Sequence, residues 1–79
     1  MIASVFEKEI ELISDVDATL DIGNSSWSGW LLMPTAQGGL MSGGIYGIQF
    51  DDGRIGLARL GPFTLGRGFP FSGHGALNS

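Results

Sequence analysis

His74 is the one residue of this 79-residue sequence whose type titrates near neutral pH without help from its surroundings. It stands in Ser72-Gly73-His74-Gly75, where it could act as a general base, since proton transfer needs a group with a pKa near ambient pH. Arg59 and Arg67 are the cations available to hold an anion beside it, and six carboxylates lie between Glu7 and Asp21. No companion motif surrounds the histidine, so a locally bonded or exposed tail residue is the competing reading.

Other catalytic chemistries find less support. No serine has glycine at both the minus-two and plus-two positions, so there is no strained nucleophile turn of the hydrolase type. Gly66-Arg67-Gly68 runs into Phe69-Pro70-Phe71 rather than into a third glycine and a helix, and Gly-Lys-Ser/Thr is absent, so no phosphate-cradling loop is formed. Asp15, Asp17 and Thr19 alternate as oxygen ligands do at the start of a calcium loop, but Leu20 and Ser26 stand where such a loop needs glycine and glutamate. One histidine and no cysteine leave zinc too few ligands. We therefore expect neither a metal site nor a cofactor.

The aromatic residues are the better candidates for binding. Trp27 and Trp30 are three apart and face opposite sides of a strand, so they cannot share one core. Trp27 shares its side with Leu31 and Met33, whereas Trp30 shares its side with Ser28 and Leu32, which makes Trp30 the outer ring. Tryptophan and tyrosine combine a large apolar area with a polar tip, and they are common interface anchors. Trp30, Trp27 and Tyr46 are thus the expected anchors for a protein partner or a small ligand.

The elements that must position these residues are strands. From Phe6 to Ile22 the even positions hold Phe6, Ile10, Leu12, Val16, Ala18, Leu20 and Ile22, against acids at most odd positions. Period two means one apolar and one acidic face. Such a strand is too long for so small a body, so a turn, bulge or barrel bend is expected near Ser14-Asp15. Gly23-Asn24-Ser25-Ser26 reads as a turn that uses small polar residues, in preference to a glycosylation site, and Trp27–Met33 reads as a strand ended by Pro34. The loop 35–44 follows. Ile45–Phe50, Asp51-Asp52-Gly53 and Arg54–Leu60 form a hairpin whose glycine takes the left-handed position. Phe63–Leu65 and Phe69–Phe71 are short edge strands by this reading, and 72–79 is an irregular tail. Twelve of the 14 glycines lie at or after Gly38, which favours strong bending.

These elements predict one all-β domain spanning 1–79, a small and strongly bent antiparallel sheet of five to six short strands. A partly closed barrel and a compact sandwich both satisfy the pattern. Charged residues make up only 15% of the chain and apolar ones 43%, and a core this small lacks disulfide or metal staples. Self-association is the remaining staple, by edge pairing or by packing of apolar faces. Acids concentrate in the first 21 residues and only three scattered arginines lie beyond them, which excludes nucleic acid as a partner. The absence of a leader-like segment and of a long apolar run points to a cytoplasmic protein with no membrane partner. The leading function is non-enzymatic binding by a homo-oligomer. The alternative is an enzyme whose site forms between subunits around His74, with Arg59 or Arg67 and a carboxylate, and the third is a structural assembly role.

Overall fold

The computed structural model describes residues 1–78. Six antiparallel strands, β1 (Ile2–Glu7), β2 (Ile10–Ile22), β3 (Trp27–Leu32), β4 (Ile45–Phe50), β5 (Ile55–Leu60) and β6 (Gly68–Gly73), close into a barrel in the order β1-β2-β3-β6-β5-β4. β4 pairs with β1, which closes the sheet, although β2 pairs with β3 only from Asp17 onward. The connection from Met33 to Gly44 crosses one barrel end, where Met33 and Leu40 are buried together with Tyr46.

The long alternating segment is two strands. Glu7 pairs with Ile10, so Lys8 and Glu9 form a two-residue loop with Lys8 at a φ of 56°. Lysine in this left-handed position lacks the glycine or asparagine that normally marks such a turn. β2 then holds two extra residues opposite β1, one at Leu12 and one at Ser14-Asp15, where Asp15 has a φ of 56°. These bulges bend the 13-residue strand around the barrel. Each extra residue reverses which face the next side chain takes. The two reversals cancel, so Val16 and Ala18 point inward while Phe6, which shares their parity, points outward from β1.

The hairpin after β4 forms as the sequence predicts, with Gly53 at a φ of 94° and its N–H donating to the Phe50 carbonyl at 3.0 Å. Two segments differ. Phe63–Leu65 is no strand, since only an isolated bridge joins Thr64 to Gly68. Phe69–Phe71 lies inside β6, which pairs on both sides, with β3 and with β5, and is not an edge. Ser72 and Gly73, read as tail, also belong to β6. The chain beyond them is irregular but pinned, because Asn78 bridges Ile55 and the Trp27 indole N–H donates to the Gly75 carbonyl at 2.9 Å. Ser79 lies outside the described residues.

The core is apolar throughout, with no buried polar or charged residue among those described. At the barrel end under the pinned segment, the Trp27 and Phe50 rings meet edge to face at 6.4 Å, and Phe71 packs within 5.9 Å of Trp27. The indole fits because Gly56 and Gly73 lie against it without side chains; a Cβ on Gly56 would come within 2.7 Å of the ring. No helix among the described residues is long and apolar enough to cross a membrane.

Candidate functional site

Outward positions on β1, β4 and β5 alternate with the buried ones, and the strand register arranges them in rows. Phe6 pairs with Gly47, and Gly47 pairs with Leu57. The His74 N–H donates to the Leu57 carbonyl at 2.8 Å, which continues the row past the end of β6. One row therefore reads Phe6, Gly47, Leu57, His74. The next reads Ser4, Gln49, Ile55, Asn78. Strands lie about 4.8 Å apart, so the missing side chain at Gly47 leaves a notch two strand spacings wide between Phe6 and Leu57.

Around this notch is a groove of about 560 Å³, bounded by Phe6, Leu57 and Ile55 on the sheet and by His74, Ala76 and Asn78 on the pinned segment. Lys8 and Glu9 close one end, and Gln49 contributes an amide. An apolar floor with a few convergent polar groups is the usual make-up of a ligand site, and the volume lies in the range such sites occupy. Leu57 is 51% exposed and Ile55 45%, so both are free to meet a partner. A Cβ on Gly47 would meet nothing closer than the Phe6 Cβ at 3.7 Å, so the fold itself does not require glycine there.

The residues singled out from the sequence fall in different places. His74 lines the groove. Arg59 lies on the same outer face, but its guanidinium donates to the Gly43 carbonyl at 2.9 Å. Arg67 is on another side of the barrel, stacked 4.0 Å from the Trp30 ring centroid. The His74–arginine constellation is therefore not assembled within one chain. Trp30 is the outer ring and is half-buried, whereas Trp27 is buried in the core, its indole bonded to Gly75. Tyr46 is buried too, and its hydroxyl accepts the Met41 N–H at 3.1 Å. Of the three expected anchors, only Trp30 reaches the surface.

Trp30 lies on the opposite kind of face. Asp17 and Asp21 on β2 pair with Leu32 and Ser28 of β3, and Thr19 between them pairs with Trp30 and accepts its backbone N–H at 3.0 Å. No group of three or more carboxylate, histidine or cysteine side chains converges in metal-binding geometry among the described residues.

Phe6, Gly47, Gln49, Ile55 and Leu57 were missed as site residues. The available signal was parity: Tyr46, Ile48 and Phe50 are the inward set of β4, which leaves Gly47 as a gap on the outward set. The class defined by this geometry is a small closed antiparallel barrel with a groove on its outer wall. No family model, curated protein or solved structure matches the chain.

Proposed function

We propose that this chain is a non-enzymatic binding module that takes a leucine-sized apolar group into the notch over Gly47. The observation that carries the reading is the row Phe6, Gly47, Leu57, His74, in which one absent side chain opens a slot between two apolar walls. Burying an exposed apolar group there removes water from Phe6, Ile55 and Leu57, at roughly 25 cal/mol per Å² of apolar area. Gln49, His74 and Asn78 supply polar atoms at the rim that orient whatever carries the apolar group.

The pinned segment makes the groove two-sided. It contributes His74, Ala76 and Asn78 to one wall, and it is held in place by the Trp27 indole and by the Asn78 bridge to Ile55. A wall fixed before binding lowers the ordering cost of association.

The test is a titration of the isotopically labelled chain with N-acetyl-leucine methylamide. Saturable shifts of the Gly47, Leu57 and His74 amide resonances are expected, together with their loss in Gly47→Val, which fills the notch. Shifts spread over the whole surface, or unchanged in Gly47→Val, would refute the reading.

A further inference from the structure

We infer that the partner is a second copy of this chain, packed face to face so that Leu57 of each copy enters the Gly47 notch of the other. This rests on the reading of the groove as a seat for an apolar group, and it names the group. The face is complementary to itself. In a two-fold dimer, if one residue contacts another across the interface, the reverse contact must also occur. Gly47 and Leu57 are cross-strand neighbours on β4 and β5, one a hole and the other a half-exposed knob. A two-fold axis lying in the interface, parallel to these strands and midway between them, places every knob over a hole.

The same operation arranges the neighbouring rows without conflict. Ile45 faces Arg59, whose stem is apolar and whose guanidinium reaches the exposed Gly43 carbonyl, so its charge stays at the solvated rim. Gln49 faces Ile55, and at the flank Phe6 turns toward His74. Two faces of this kind stack at about 10 Å, the ordinary separation of packed sheets.

Charge selects this face over the others. The chain carries a net −4, and its acids are concentrated on β2 and the turns. The same packing through β2 and β3 would take the Asp17 and Asp21 carboxylates out of water without partners, which strongly opposes association there. On the β4–β5 face the outward side chains Ile45, Gln49, Ile55 and Leu57 are uncharged, and the one charged member, Arg59, is exposed and bonded to the Gly43 carbonyl. Barrel curvature confines the contact to these strands and their flanks, so the dimer is of the small, concentration-dependent kind.

Sedimentation velocity over a roughly hundredfold concentration range tests it. The average mass is expected to climb from 8.3 kDa toward twice that value. Leu57→Asp is expected to weaken association about a hundredfold, a loss typical of a hot-spot side chain. Exchanging knob and hole within one chain offers a geometric check: Gly47→Leu and Leu57→Gly are each expected to weaken association, and the chain carrying both is expected to regain it. A constant 8.3 kDa mass, a dimer indifferent to Leu57→Asp, or a double variant that associates no better than either single one would each overturn the inference. The leucine probe separates the two claims: saturable binding by a chain that stays monomeric sinks the dimer alone, whereas a monomer that also ignores the probe sinks both.

Discussion

The β4–β5 face and the β2–β3 face belong to one closed sheet, yet they solve the problem of an exposed surface differently. β2 alternates buried Val16 and Ala18 with Asp17 and Asp21, so its outer side is charged and solvated, and the one large ring there, Trp30, is covered in part by Arg67. β4 and β5 alternate just as regularly, but their outer side is Ile45, Gly47, Gln49, Ile55, Leu57 and Arg59. Alternation makes a strand in both places. Only the chemistry of the outward set tells a charged wall from an apolar one, because the inward set answers to the core alone.

The largest effect expected from breaking this contrast comes from the tryptophans. Trp27→Ala opens a cavity beside Phe50 and Phe71 and strands the Gly75 carbonyl, so a loss of about 3–5 kcal/mol is expected in urea denaturation. Trp30→Ala removes a half-buried ring and its stack with Arg67, at a cost of about 1 kcal/mol. It is also expected to leave the oligomeric mass unchanged. Equal losses for the two rings would mean that the inner and outer sides of β3 are not as distinct as described.

Two glycines on adjacent strands give the next contrast. Gly56→Ala drives a methyl into the Trp27 ring, which is tethered and cannot retreat, so destabilisation of about 1–3 kcal/mol is expected. Gly47→Ala meets open space and relieves the entropic penalty of glycine in a strand, so a gain of up to about 0.5–1 kcal/mol is expected from thermal melts of the chain diluted to the monomer. If Gly47→Ala instead proved destabilising, the glycine would be serving the fold, and the notch would lose its functional meaning.

The smallest effect lies at the tip of the β4–β5 hairpin. Side-chain hydrogen bonds from Arg54 hold the Asp52 carboxyl below its ordinary value of 3.8. A depressed carboxylate contributes stability that is complete above the unfolded value and is lost as pH falls through the folded one. The pair is exposed to solvent, so Asp52→Asn is expected to leave the melting temperature near neutral pH unchanged within error. Any difference from the parent chain should be confined to pH values near and above 3.8 and should vanish in stronger acid. A large shift at neutral pH would give the pair a structural role that its exposure argues against.

Much of the fold was legible from local pattern. The run from Asp15 to Ile22, the Asp-Asp-Gly turn and the opposed tryptophans depend on rules that act over a few residues, namely period two, left-handed glycine and parity. The turn at Lys8-Glu9 was not legible. Its residues have no turn preference, and the reversal it introduces is masked because outward Phe6 is itself apolar and shares the parity of inward Val16, the two bulges between them cancelling. The doublet Leu12-Ile13 is the visible trace of one bulge, and the inward Ala3 and Val5, of opposite parity to Val16, are the trace of the turn.

What the sequence by itself determined, then, is that the chain folds as strands, which side of each later strand is apolar, and that Trp27 and Trp30 part company. Barrel closure, the burial of Tyr46, the pinning of the segment after Gly73 and the separation of Arg67 from His74 were decided by the tertiary structure alone. So was the groove, because Phe6, Gly47, Leu57 and His74 come from four separate stretches of chain and share a row only through strand register. Register between distant strands is set by the fit of the whole core, a sum over many side chains that no local window contains.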